Sequence, residues 1–547
     1  MMALTAARMS RERELFHQRQ SLDHLYKGKV HEIKARHGSE KEMVYSNQIE
    51  AATEIVHELF GAKKVVVTLI ALPQVGKTGT FLEVAYRACT HPDDNCIIDP
   101  RNVFIITGMS DRDWQKQTEA DMLEPFKRRV YHRGKLNTKD REDGFYTNLA
   151  NAKNALIILD ECHIAVEKTH LISNNLKRLG LLDIATLRER NVRILEVSAT
   201  PGATLRDTQS WGPENHSVVL LNESPTYVGF KDFIRDGRLH NSYDFTKEGE
   251  VDEFAAFVKE TFPDPRWHIL RLSAKSKALA TFEERFKAIC AAEGWNMQNH
   301  SAVERVGDID YHMGMRPAQH TFLIIKEFWR AGKRLNDTFV GAVHEPTAVV
   351  KDTNVTAQGL AGRLCGNDKR SGPAAPHIFC NTQLIHEYMN WIKHKGDFNA
   401  VKAYHSKNLT VKNGRVTSSK ETFAHHSNMN GVKATVDLHK YALTESFATR
   451  SAAFAWAAAH INWGHEDLTG LGQVEAWNVG TSDAGGIFPG NTHYRGDHPE
   501  PIRTEEAERK AKDWGRFGGG VRCAPVRVGN GLKFVIIYKN GWVPAAA

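Results

Sequence analysis

Lys77 and Thr78 close the run "ALPQVGKT", residues 71–78, and 83 positions after Lys77 two acids stand side by side in "ALIILDECH", residues 155–163. The first run spells A-x-x-x-x-G-K-T, a phosphate-loop pattern with alanine in the first glycine position. Gly76 lets the backbone approach an anion, and the N–H groups of the loop and of the helix start converge on it. Lys77 is a mobile point charge for β- and γ-phosphates, and the Thr78 hydroxyl is an oxygen ligand for Mg²⁺. The full cradle comprises Ala71, Leu72, Pro73, Gln74, Val75, Gly76, Lys77, Thr78 and Gly79. Asp160 suits Mg²⁺ held through water, and Glu161 suits orienting or deprotonating an attacking water. Paired acids at the end of a buried strand are costly unless they serve a cation.

Such groups need rigid elements behind them. Lys64–Leu72, "KVVVTLIAL", is β-branched and apolar and predicts a strand buried on both faces. Phe81–Ala88 carries leucine, valine and alanine at helical spacing, so the loop lies between a strand and a helix. Residues 155–160 predict a second buried strand, and "VRILEVSATPGAT", 192–204, a third that Pro201 and Gly202 stop. "NVFIITGMSDRDWQKQ", 102–117, reads as strand, polar loop and helix start. The fold class is α/β.

"GKT", "DECH", "VSAT" at 197–200 and "QGLAGR" at 358–363 occur in the order used by superfamily 2 helicases and translocases, which the chain resembles over roughly residues 45–380. The resemblance implies two tandem RecA-like parallel-sheet domains of the P-loop NTPase type, with ATP and Mg²⁺ in the cleft between them. It implies an N-terminal extension at 1–40, a first RecA-like domain at 41–225, a second at 226–400 and a C-terminal accessory region at 401–547. By position Gln48 matches the family's adenine-reading glutamine; the alternative is a surface glutamine on a helix. His163, Ser198, Ala199 and Thr200 match the groups that couple the water-activating acid to the nucleic-acid side. Gln358 and Arg363 match residues that reach the γ-phosphate, and an arginine finger is worth about 10³ to 10⁵ in rate in related systems. Where many members carry a second arginine this chain has Gly366, and Arg370 is the nearest substitute. Thr107 and Ser110 match a nucleic-acid-contacting loop, although Ser110 or Asp111 equally suits a helix N-cap. Arg133 in "FKRRVYHRGK", Lys275 in the loop after "WHILRLSA" and Lys333 after Gly332 are further backbone-contact candidates; a solvated basic face is the alternative. The fifth family motif, around 321–335, lacks its usual aspartate.

The chain has 547 residues, enough for three or four domains, and is 41% hydrophobic and 25% charged with a net charge of +7. That mild basicity suits a polyanion. No apolar run reaches the length of a membrane span, and residues 1–20 carry Glu12 and Glu14 with no long apolar core, unlike a signal or transit peptide. Seven scattered cysteines without a C-x-x-C pair point to reduced thiols in a cytoplasmic setting. Residues 405–431 read as a linker or large loop, 434–460 as an alanine-rich helix, and "VGNGLK" near 530 as a hairpin turn inside a C-terminal α+β region. Basic and aromatic residues of this tail, Arg516, Phe517, Arg522, Arg527 and Lys533, suit either a nucleic-acid clamp or a solvated face. The resemblance to superfamily 2 implies ATP-driven strand translocation or unwinding, with DNA favoured over RNA, and the motif forms are most similar to those of viral and phage-type members. The alternatives are a double-strand translocase and an ATP-gated nucleic-acid-binding scaffold with little turnover.

Overall fold

The computed structural model describes residues 2–37, 39, 41–109, 112–136, 144–150, 152–164, 171–272, 278–300, 306–307, 309–326, 335–346, 351–407, 409–413, 415–418, 441–462, 475–476, 502–503, 521–528, 531–539 and 543. They form two units, 1–431 and 432–547. The first unit opens with a long helix, α1 (Met2–His37), followed by α2 (Ser46–Val56).

Six strands then build the first sheet: β1 (Val66–Ala71), β2 (Val103–Thr107), β3 (Val130–Tyr131), β4 (Ala155–Asp160), β5 (Val192–Ser198) and β6 (His216–Leu221). All pairings are parallel, in the order β3-β2-β4-β5-β1-β6. β1 is buried at every residue, as a strand covered on both faces must be, and Thr68 is its one polar side chain. β5 departs from the apolar pattern at Arg193, at its terminal Ser198 and, most deeply, in its middle. Glu196 is fully buried, accepts from Thr68 Oγ1 at 2.7 Å and Thr208 Oγ1 at 3.3 Å, and burial pushes its carboxyl up to about 8. Burial thus favours its neutral form.

After β7 (Tyr227–Val228) comes a second parallel sheet: β8 (Leu239–Asn241), β9 (Trp267–Leu272), β10 (Asn296–His300), β11 (Thr321–Lys326), β12 (Val340–His344) and β14 (His377–Cys380), in the order β10-β11-β9-β12-β14-β8. β13 (Gly366–Asn367) pairs with β7 outside it. The two sheets are the tandem RecA-like arrangement. Each places its loops at the carboxyl ends of its strands, where ligands of open parallel sheets bind.

Three further strands, β15 (Ala403–His405), β16 (Leu409–Lys412) and β17 (Arg415–Ser418), form an antiparallel sheet where the sequence suggested a linker. Leu409 and Val411 alternate inward, and Asn413, at φ 49°, sits in an Asn-Gly pair that signals a hairpin. The polar composition hid that short alternation. The remainder of the expected linker, 419–431, lies outside the described residues.

In the second unit the expected helix at 434–460 is shorter: β18 (Tyr441–Leu443) precedes the helix Arg450–His460. β18 pairs with one arm of a hairpin made by β21 (Arg522–Val528) and β22 (Gly531–Lys539), while β19 (Glu475–Ala476) and β20 (Ile502–Arg503) pair with the other. Ala453 and Ala457 of the helix share a small core with Val526, Val535 and Ile537. The unit is α+β, and cross-strand pairing took Tyr441–Leu443 away from the helix.

The second sheet buries an unusual number of imidazoles. His240 Nε2 meets His377 Nδ1 at 2.9 Å and His268 Nε2 meets His320 Nδ1 at 3.0 Å. Each pair needs one bare ring nitrogen as acceptor, so a proton on that nitrogen breaks it. Burial pulls His344 down to about 3 and His240 and His216 to about 4. Because the folded values lie below the unfolded one, the unfolded chain binds more protons as pH drops past the ordinary histidine value. Stability is therefore complete above pH 6.5 and falls steadily from there toward pH 4, by about 1 kcal/mol per pH unit for each fully desolvated ring. Urea unfolding at pH 7 and pH 5 checks this: the midpoint is expected to be clearly lower at pH 5, and an unchanged midpoint would contradict it.

Candidate active site

The turn after β1 carries two residues with left-handed backbone, Gln74 at φ 58° and Gly76 at φ 108°, and α3 (Lys77–Cys89) starts immediately after them. Gln48 of α2 lies across this turn. Its Nε2 donates to Gly76 O at 2.8 Å, and its Oε1 accepts from Tyr45 N at 2.8 Å. A Cβ at position 76 would stand 1.9 Å from Gln48 Nε2, and one at position 79 would stand 2.5 Å from Oε1. The two glycines thus make room for one amide. Gln48 is buried, so it is not the surface glutamine that the sequence left open.

Lys77 Nζ and Glu161 Oε1 form a close ion pair, with both side chains largely buried. Burial alone would raise the Glu161 carboxyl, but Lys77 and His163 more than offset it and hold it below the usual range. Burial likewise opposes the Lys77 charge, yet Glu161 and Asp160 push its ammonium above the usual value. Both groups are charged. Glu161 leaves β4 with φ 51°, a non-glycine residue in the left-handed region, which costs on the order of 1–3 kcal/mol and is typical of functional turns. Its backbone N–H donates to Asp160 Oδ1 at 3.0 Å.

Glu161 Oε2 faces the second sheet. Gln358 Nε2 lies 3.4 Å from it and 2.7 Å from Thr200 Oγ1. His163 Nδ1 is 2.9 Å from Ser198 Oγ and 3.5 Å from Glu161 Oε2, and Ser198 Oγ also accepts from Thr200 N at 3.0 Å. Burial keeps His163 below its ordinary pKa despite the adjacent carboxylate. Ala199 O accepts from the Tyr388 hydroxyl at 2.9 Å. Gly362 stands against Pro73, with room for no side chain, since a Cβ there would meet Pro73 Cβ at 3.1 Å and Ala357 O at 2.1 Å. Arg363 follows it, buried at the cleft.

Lys77, Glu161, Gln358 and Arg363 line one cavity of about 570 Å³. Its wall includes Gln48, Pro73, Gly76, Lys77, Thr78 and Gly79 from the first sheet's side, with Asp160, Glu161 and Ala199, and Gln358, Gly362 and Arg363 from the second. Its size is in the range of small-molecule sites. Ala71, Leu72 and Val75 are buried in the core behind the loop. Thr107 is fully buried and its Oγ1 accepts from Met109 N at 3.3 Å, whereas Arg133 is exposed nearby, its own N–H donating to Met109 O. Ser110, Lys275 and Lys333 lie outside the described residues.

Several wall residues carried no sequence signal. Lys41 pairs with Asp368 at 2.5 Å across the two sheets' sides, and behind the wall the Tyr227 hydroxyl donates to Pro73 O at 2.8 Å. Arg370 is not at the cavity as a second arginine: its guanidinium is spent on Asp337 O, Thr338 O, Val340 O and Ala374 O. Lys369 lines the wall instead.

Gly76→Ala tests the loop geometry. The added methyl meets both the positive φ and the Gln48 amide, so the melting temperature is expected to fall by several degrees, consistent with a cost of about 1–3 kcal/mol. Adding Gln48→Ala should restore only part of the loss, because the backbone strain remains. A Gly76→Ala protein as stable as the parent would contradict this geometry.

No family model matches the chain. A protein of Acanthamoeba polyphaga mimivirus, itself uncharacterised, is 25% identical over 374 residues, covering 63% of this chain and 87% of the relative. Among solved structures the chain is similar to S. cerevisiae Dbp5 bound to RNA and ADP BeF3 (12% identity, 65% of this chain and 92% of that one, TM-score 0.36). It is also similar to the DEAD-box helicase Mss116 bound to ssRNA and UDP-BeF (14% identity, 65% and 76%, TM-score 0.37) and to the Escherichia coli DEAH/RHA helicase HrpB (14% identity, 61% and 43%, TM-score 0.36).

Proposed function

We propose that the chain is a nucleic-acid-dependent ATPase of the superfamily 2 helicase type, which uses closure and opening of the cleft between its two parallel sheets to move along a strand. The observation that carries this reading is the meeting of Lys77, Glu161, Gln358 and Arg363 around one cavity formed by loops of both sheets. The cradle fits a nucleoside triphosphate: the loop turns tightly through left-handed Gln74 and Gly76, Lys77 supplies a cation, and the cavity has the volume for it. Thr78 and Asp160 face the same cavity and would hold a Mg²⁺ ion, which supplies charge neutralisation to the phosphates when bound.

The work of the chain's own residues follows from their pairing. A γ-phosphate approaching Lys77 competes with Glu161 for the ammonium. Releasing that ion pair frees a carboxylate that is ionised and already turned toward the cavity, as a base or a water-orienting group must be. Gln358, bonded to Thr200, sits beside the same carboxylate and aligns the water. Arg363 neutralises charge on the transferring phosphoryl group from the opposite wall. The link from Glu161 through His163, Ser198 and Thr200 to Gln358 joins hydrolysis to the relation between the two sheets.

The commitment of Arg370 to backbone carbonyls favours a second reading, an ATP-gated scaffold of slow turnover with a single finger. Steady-state ATPase against a panel of single- and double-stranded DNA and RNA separates the two, since a motor is stimulated and a scaffold is not. Strand displacement beside triplex displacement then distinguishes unwinding from duplex translocation. Glu161→Gln is expected to keep nucleotide binding and lower turnover by about 10²- to 10⁴-fold; unchanged turnover would remove Glu161 from this role. Arg363→Ala should lower turnover far more than nucleotide affinity, and equal losses would argue against a finger.

A further inference from the structure

Arg363 ends a helix of only four residues, Leu360–Arg363, and Gln358 ends the helix before it, Thr353–Gln358, with Gly359 between the two. A single turn has almost no intrinsic stability, so its orientation must be imposed from outside. Glu345, which directly follows β12, imposes it. Its backbone N–H donates to Phe379 O at 2.8 Å, which fixes it beside β14. Its Oε1 accepts from Leu360 N, the first amide of the short helix. The same carboxylate accepts from Arg271 Nη1 on β9 through both oxygens, at 2.7 and 2.9 Å, and both side chains are largely buried. A Cβ at position 359 would stand 2.3 Å from Glu345 Oε1, so the glycine there is what admits the carboxylate.

We infer that Glu345 is a positioning residue which sets Gln358 and Arg363 against Glu161, an assignment that rests on the reading of the site proposed above. Three elements of the second sheet's domain, β9, the end of β12 and the short helix, converge on this one carboxylate. Its hydrogen bonds are charge-assisted, about twice as strong as neutral ones and directional. Gln358 in turn reaches Glu161 and Thr200, so a shift of the helix moves the groups across the cleft from the water-activating acid. A displacement of about 1 Å at such a position costs on the order of 10²-fold in rate. Because Glu345 does not line the cavity, nucleotide affinity should be spared.

The test uses the full chain with Glu345→Ala, Glu345→Gln and Gly359→Ala, each alone and Glu345→Ala also with Arg363→Ala. ATPase is measured for kcat and KM, and amide hydrogen exchange is followed over residues 353–366. Glu345→Ala and Gly359→Ala should each lower kcat about 10- to 100-fold with KM within threefold, whereas Glu345→Gln, which keeps an acceptor for Leu360 N, should retain most of the rate. In the Arg363→Ala background, Glu345→Ala should cost a clearly smaller factor than in the parent, since only the placement of Gln358 is left to lose, and exchange over 353–366 should rise in Glu345→Ala. Multiplicative losses in the double variant, a parallel rise in KM, or wild-type kcat in Gly359→Ala would overturn the assignment. The exchange readout separates this inference from the reading it rests on: a parent chain without turnover overturns that reading and the assignment with it. Unchanged exchange in Glu345→Ala, in a parent that does turn over, overturns the assignment alone.

Discussion

The buried pairing of Lys77 with Glu161 is the constraint around which the first unit is organised. Neither charge would be tolerated there alone: desolvation of an isolated ion costs several kcal/mol, and removing one partner leaves the other stranded. The pair joins the start of α3 to the end of β4, two elements separated along the chain, and it persists because each partner holds the other in its charged form. Positive φ at Glu161 aims the carboxylate out of the strand line and into the cavity. The same carboxylate then meets Gln358 from the second sheet, so the electrostatics of one loop become the alignment of two domains.

That alignment has further supports of ordinary kinds. Tyr388 and Tyr227 each donate a phenolic proton to a main-chain carbonyl across the cleft, at Ala199 and Pro73. Gly396, at φ 79°, brings the chain after the helix Thr382–Lys393 so close to the first sheet that a Cβ there would meet Ile70 Cδ1 at 2.3 Å. Trp391, Phe398 and Tyr404 belong to the same continuous core as Ile70 and Leu205. Apolar packing of this sort is not directional, so the hydrogen-bonded groups near the cavity decide the register between the two sheets.

Much of this was legible beforehand, for a reason visible in particular segments. The runs ending at Ala71, Asp160 and Ser198 are largely apolar over a strand's length and stop at small, charged or hydroxyl residues, and each became a parallel strand whose following residues, Pro73, Glu161 and Ala199, reach the cavity. The Asn-Gly turns of the tail behaved differently. The one near 530 stood between long β-branched runs and was readable, while the one at 413 lay among polar residues and hid the strands β16 and β17. Arg370 illustrates the opposite error, since nearness in sequence to Arg363 does not bring a guanidinium to the same wall.

The sequence by itself determined the local grammar: which strands are buried, where the glycines of the loop fall, and which acids and cations stand at strand ends. These follow from short-range periodicity and from the conformational freedom of glycine, both properties of neighbouring residues. The tertiary structure alone decided that Gln48 lies over Gly76 and Gly79, that Glu345 holds the helix bearing Arg363, and that Lys41 meets Asp368. Those contacts join residues far apart in the chain, whose side chains carry no periodic signal of one another. Their partners are fixed only when the sheets have packed and buried polar atoms must find the donors and acceptors that remain within reach.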